Sequence, residues 1–233
     1  AMADYQDLYV ARLDDAVVDR RTEHVEVRGG ATVEVVCLLT RHGPVVSDPT
    51  EDGIGLALAS TGFDAPAGSL AAVVPQLLAR TVDELDDALA AWVEPVNNFV
   101  LADTHGDIAY RTAGRVPVRA EVNSWLPVPG WDATHDWTGY VPDESLPRTK
   151  NPSAGAVVTA NQRITTADHP HLLGVHPYGP NRATRIWARL DAAQPIDDGG
   201  MAAVHLDASS PLAARMAAMA PDVFGDWDGR MLA

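Results

Sequence analysis

Apolar and polar positions alternate most regularly in the first quarter of the chain. His24-Val25-Glu26-Val27-Arg28 and Thr32-Val33-Glu34-Val35 place an apolar side chain at every second position, the period of a strand with one buried face. Gly29-Gly30 between the two runs is a hairpin signal. Val36-Cys37-Leu38-Leu39 extends the second run with apolar residues on both sides, which predicts a central strand buried on both faces. Leu8-Tyr9-Val10 and residues 54–58 also predict strands. From Ser69 the period changes to three and four. Leu70, Val73, Val74, Leu77 and Leu78, then Leu85, Ala88, Leu89 and Trp92, predict two helices joined at Arg80-Thr81. Thr81 and Glu84 form a capping box for the second. Residues 98–103 and 108–112 predict paired strands around the turn Thr104-His105-Gly106-Asp107. A helix is predicted from Asn181 through Leu190, and more helix over residues 201–219, broken at Ser209-Ser210-Pro211.

Residues 126–163, LPVPGWDATHDWTGYVPDESLPRTKNPSAGAVVTANQR, have neither period until Ala156. Pro and Gly set turns there, and the rings of Trp131, Trp137 and Tyr140 can anchor the loop on a core. Ala156-Val157-Val158 predicts a short buried strand that delivers Thr159-Ala160-Asn161-Gln162-Arg163 at its end. Such an end suits a fixed hydrogen-bond donor. From the residues alone an irregular surface loop is the first reading.

The chain has 233 residues, enough to bury a full core, and 46% of them are hydrophobic. A net charge of −15 argues against nucleic acid or an anionic membrane as partner. No apolar run is long enough to predict a membrane span, and none of residues 1–233 reads as a signal peptide, as expected of an internal piece of a longer precursor. Cys37 is alone, so no internal disulfide forms and the redox compartment stays open. It reads as a small buried hydrophobe, and His42 in Thr40-Arg41-His42-Gly43-Pro44 as a structural histidine at a turn. Asp4 and Asp7, with Gln6 between, can hold a hard cation through oxygen ligands. His169, His171 and His176 invite a zinc reading, but fit a folded loop as well.

Five blocks, in order, resemble the penicillin acylase (penicillin amidase) family of N-terminal nucleophile hydrolases. They are QDLYVARLD, TRHGPVV, NNFVLADTHGDIAYRTAG, PVPGWDATHDWTGYVP and LPRTKNPSAGAVVTANQR. The resemblance implies an α+β fold, the central part of an αββα sandwich with antiparallel sheets. It implies one domain over residues 1–233, an internal piece of a β subunit. The family's nucleophile is the Ser that begins that subunit. Its block lies upstream of the one matched here, and residue 1 is Ala. The implied activity of the parent protein is cleavage of the acyl–amide bond of a β-lactam or similar N-acyl compound, after autoproteolytic processing and as part of an antibiotic biosynthetic process. This chain alone is expected to be inactive.

By the same resemblance Asn161 is the oxyanion donor, with Arg182 supporting it, and Val73 and Asn97 line the acyl pocket. A structural Ca2+ site is implied at Asp4, Gln6 (through its main-chain carbonyl), Asp7 and, by a further carbonyl, near Ser124. A later acidic ligand has no match, because His169-Pro170-His171-Leu172 stands in its place. Expected partners are a small N-acyl amide substrate and the rest of the same precursor, its α subunit and the remainder of the β subunit. A periplasmic or secreted location is the family's. Two rivals are an acyl-homoserine lactone acylase of the same family and a non-catalytic carbohydrate-binding module built on the Trp/Asp/Gly-rich loop.

Overall fold

Strand β1, Gln6–Arg12, buries every second side chain, so Asp7, Tyr9 and Ala11 share one interior face. The period that defines the strand thereby carries a carboxylate into the core. This is a computed structural model, and it describes residues 5–63, 65, 68–175 and 177–220. After the one-turn helix α1 (Leu13–Ala16) come β2 (Val17–Val25), β3 (Val33–Thr40) and β4 (Gly43–Pro44), which form a sheet in the order β2-β3-β4. Strand β5, Ile54–Ser60, returns antiparallel to β1, from Gln6 opposite Ser60 to Arg12 opposite Ile54.

Helices α2 (Leu70–Leu78) and α3 (Val82–Leu89) follow, broken at Arg80-Thr81 as the sequence predicts. Thr81 accepts from Glu84 N–H at 3.2 Å, while the Glu84 carboxylate accepts from Arg80 N–H at 2.6 Å, one residue earlier than an ideal capping box. Strands β6 (Asn97–Ala102) and β7 (Ile108–Ala113) pair antiparallel, and β9 (Arg148–Lys150) joins β7 after the two-residue β8 (Val128–Pro129). The sheets are antiparallel except where β8 runs parallel to β1. The α+β class follows.

Three apolar clusters hold these elements. Tyr9, Ala11, Leu13, Ala57, Ala59 and Val128 form the one under β1 and β5. Val82, Leu89, Leu101, Ala109 and Ala113 pack α3 on the β6–β7 hairpin. Val116, Val141 and Leu146 form the third, with Tyr5 and Leu173 against them. Arg111 is the largest fully buried side chain. It donates to the Asp86 carbonyl, pairs with the Asp86 carboxylate at 2.9 Å and with Asp143 at 2.7 Å, and so ties α3 to the turn Asp143–Ser145. Asp103 accepts from the N–H groups of Val82, His105 and Asp107, which fixes both the start of α3 and the β6–β7 turn.

The described residues of Ala1–Ser153 and Ala167–His176 form one compact unit, and those of Ala154–Thr166 and Pro177–Ala233 a second. The chain crosses between them three times, so no single linker marks a boundary in the sequence. In the second unit, α4 (Asn181–Ala192), α5 (Asp198–His205) and α6 (Pro211–Met219) follow in order. Asp207, between α5 and α6, pairs with Arg185 at 2.7 Å and Arg189 at 3.3 Å. Ser210 caps α6 by accepting from Ala213 N–H, with Pro211 at its first position.

Two expectations are corrected. Strand β3 is central in its sheet, but Val33, Val35 and Val36 are exposed, because the β2–β3 hairpin has no covering layer among the described residues. Residues 156–158 form no strand: no ladder partner reaches them, and side chains organise that loop instead.

Candidate active site

The loop that carries Asn161 is closed by its neighbour. The Gln162 side chain accepts from Ala160 N–H at 2.6 Å and donates to the Val158 carbonyl at 3.2 Å. Tyr178 N–H donates to the Asn161 carbonyl at 2.8 Å. Between these two clamps Asn161 is held at φ +61°, the left-handed region that Asn tolerates better than most residues. Arg182, in the first turn of α4, donates from Nη2 to Asn161 Oδ1 at 3.0 Å, and its guanidinium lies 5.0 Å over the Tyr178 ring. An Arg has only donors to offer. The contact therefore fixes the amide with its oxygen toward Arg182 and its NH2 group outward. That NH2 makes no hydrogen bond among the described residues, and Asn161 is exposed.

Of the other amides that could donate, Gln162 is committed, whereas Asn98, like Asn161, is held by its oxygen only. Gln162 is spent on the loop. Asn98 Oδ1 accepts from Tyr110 at 2.7 Å and Thr112 at 2.9 Å. The structure thus brings Asn161 and Arg182 together.

Val73 and Asn97 lie in the other unit, on α2 and at the start of β6. Ser69 Oγ donates to the Glu94 carbonyl at 2.6 Å and accepts from Glu94 N–H at 2.9 Å, which ties the head of α2 to the segment before β6. Each residue is within four positions of this clamp. Neither is buried, and Leu70, Val74, Leu77 and Leu78 of α2 are more than half exposed.

Of the implied Ca2+ ligands, Asp4 lies outside the described residues. Gln6 opens β1, and its side chain amide donates to Ser60 at 3.5 Å. Ser124 Oγ is buried without a hydrogen-bond partner. Asp7 is fully buried, and its oxygens accept from Arg119 Nη1 at 2.5 Å, Trp137 Nε1 at 2.6 Å and Asn123 Nδ2 at 3.3 Å. A hard divalent ion needs carboxylate oxygens that are free to face it. This donor set, one guanidinium and two neutral N–H groups, does not fit such an ion at Asp7. Among the described residues no three His, Cys, Asp or Glu side chains gather where they could hold a metal. His169 and His171 instead bond each other across a turn, and His176 lies outside the described residues.

Next to Asp7 is a second polar group, built on the His42 that the sequence reads as structural, whose partners the sequence did not reveal. His42 Nε2–H donates to Asp136 at 2.9 Å, and Arg41 donates to the same carboxylate at 2.6 Å and to the Gly130 carbonyl at 2.7 Å. The imidazole stacks on Tyr9 at 3.8 Å. Tyr9 OH donates to the His135 carbonyl at 2.7 Å, and Asn123 Nδ2 reaches that carbonyl and Tyr9 OH. Burial pushes the His42 pKa down from its ordinary value, with Asp136 opposing. Burial disfavours ionised Asp136, but the bonds from His42 and Arg41 outweigh it and hold its pKa below the ordinary carboxylate value. The group pins the loop of residues 130–137. Its members Arg41 and His42 stand in TRHGP and Asp136 in THDW, two blocks nothing in the sequence links to each other.

The family model described as penicillin amidase matches residues 1–233. Penicillin acylase 2 proenzyme of Pseudomonas sp. (strain SE83) is 37% identical over 225 residues, which cover 91% of this chain and 29% of that protein. Acyl-homoserine lactone acylase QuiP of Pseudomonas putida is 32% identical over 231 residues, 94% of this chain and 28% of that one. The chain therefore spans under a third of the length of these curated relatives. A solved structure, a thermostable penicillin G acylase from Alcaligenes faecalis, superposes with a TM-score of 0.67 at 24% identity, covering 81% of this chain and 36% of its own. The chain shares the fold of the corresponding part of that penicillin G acylase. Among the described residues no helix is long and apolar enough to cross a membrane.

Proposed function

This chain belongs to the penicillin amidase family, and from that premise we propose that it forms part of an amidohydrolase that cleaves the acyl–amide bond of N-acyl compounds. Its share of the chemistry is the oxyanion donor. The observation that carries this reading is the state of Asn161, with Oδ1 fixed by Arg182 and its NH2 unspent. Attack on an amide carbonyl puts negative charge on its oxygen. A neutral donor already held in place stabilises that charge without reorganising. The nucleophile of the proposed mechanism is an N-terminal Ser released by autoproteolysis of the precursor. Its α-amine serves as base, because such an amine titrates near neutral pH. The rest of the precursor supplies that Ser and completes the acyl site to which α2, through Val73, and Asn97 contribute.

The test is Asn161→Ala in the full-length, processed protein. We expect kcat to fall about 10²–10³-fold, roughly 3–4 kcal/mol, with an unchanged melting temperature. A kcat within a few-fold of the parent overturns the assignment.

The similarity to QuiP favours one second reading, an acyl-homoserine lactone acylase. The relative kcat/KM for a phenylacetyl amide and a long-chain N-acyl homoserine lactone separates the two. A carbohydrate-binding module is set aside, since the family match takes in the whole chain.

A further inference from the structure

We infer that Arg119 is a built-in cation at the head of β1, doing there the work that a bound divalent ion would otherwise do. Asp7 sits on the buried face of its strand with no exposed surface, and the Arg119 side chain is only 4% exposed. An ionised carboxylate in that position has to be matched by positive charge. Arg119 Nη1 supplies it at 2.5 Å from Oδ1. The other oxygen accepts from Trp137 Nε1 and Asn123 Nδ2. A carboxylate has about four lone-pair positions, and three are filled by N–H donors.

A calcium ion bound to Oδ2 at its usual ~2.3–2.6 Å would have to displace Trp137 or Asn123, and one on Oδ1 would have to share that oxygen with Arg119. It would also lie beside a guanidinium whose own charge already neutralises Asp7. The two cations repel most strongly where water is excluded. Arg119 is therefore an alternative to the ion at Asp7, not its companion.

The guanidinium also performs the ion's mechanical task. Asp7 belongs to β1, Arg119 follows the segment of Val116, Asn123 belongs to the turn Glu121–Ser124, and Trp137 belongs to the Trp-rich loop. These four stretches meet on one carboxylate. From Asn123 the bonds run on to Tyr9 and to the His135 carbonyl. A fixed side chain ties them together at every calcium concentration, whereas a metal would make the tie conditional.

Thermal unfolding of the full-length protein tests this. In excess EGTA and in millimolar calcium chloride the melting temperature should be the same, and calorimetric titration with calcium chloride should give no heat that Asp7→Asn abolishes. Arg119→Gln should lower the melting temperature by at least about 5 °C, since it leaves Asp7 buried and unmatched. Arg119→Lys, which restores the charge without the fork, should recover part of the loss. If Arg119→Gln fails to fold, the parent protein's response to EGTA and calcium still decides. A parent melting temperature that drops in EGTA and returns with calcium overturns the inference. So does an Arg119→Gln protein as stable as the parent.

Discussion

Arg182 donates to the Oδ1 of Asn161 at 3.0 Å, and Asn161 is held in the left-handed region at φ +61°. The backbone sets where the amide stands, and the guanidinium sets which way it faces. Neither the loop nor the helix alone fixes both.

On the proposed reading Arg182 is a positioning residue. Arg182→Ala in the processed protein should lower kcat about ten-fold or more and leave KM for the amide substrate nearly unchanged, because the lost orientation matters where charge develops. Arg182→Lys should recover part of kcat. A substitution that raises KM with kcat intact would assign Arg182 to substrate binding instead.

Arg111 is fully buried between Asp86 and Asp143. Arg111→Met should destabilise the protein by about 3 kcal/mol, the lower end for a broken buried pair, since the two orphaned carboxylates can regain water. Denaturant unfolding measures it. The tie between α3 and the Asp143–Ser145 turn should loosen first, as faster amide exchange of α3.

Stability should fall on mild acidification. His42 has a folded pKa below its unfolded value, so the unfolded chain binds the proton first. Its contribution is complete above about pH 6.5 and is lost as the pH falls toward the folded pKa. Asp136 is also depressed, and its contribution is lost in turn below the ordinary carboxylate value near pH 4. His42→Gln should flatten the slope of melting temperature against pH just below about 6.5. An unchanged slope would place the acid sensitivity elsewhere.

The 233 residues expressed alone should not turn over a chromogenic acyl amide. Binding and one oxyanion donor leave only a small residual catalysis when no nucleophile joins them. Burst and steady-state assays check this. Turnover that an internal substitution abolishes would locate a nucleophile within the chain.

The sequence by itself determined the local elements and the family. Period two placed the β2–β3 hairpin, strand character placed β1, β5, β6 and β7, period 3–4 placed α2 and α3, Thr81 marked a helix start and Ser209-Ser210-Pro211 a helix break, as the structure has them. These are signals between residues a few positions apart, which is the range periodicity and capping can encode. The five blocks identified the family through their order, and with it Asn161 as the amide to watch. Gln162 and Arg182 around Asn161 were within reach of the motif, but the loop they build was mistaken for a strand, because three apolar residues in a row look the same whether paired or not. Only the tertiary structure decided what Asp7 faces. Arg119 is 112 residues away in the chain and Trp137 is 130. A buried carboxylate must find a cation, and the sequence cannot say which. That choice belongs to whatever the fold brings within hydrogen-bond reach, and here the fold brings a guanidinium.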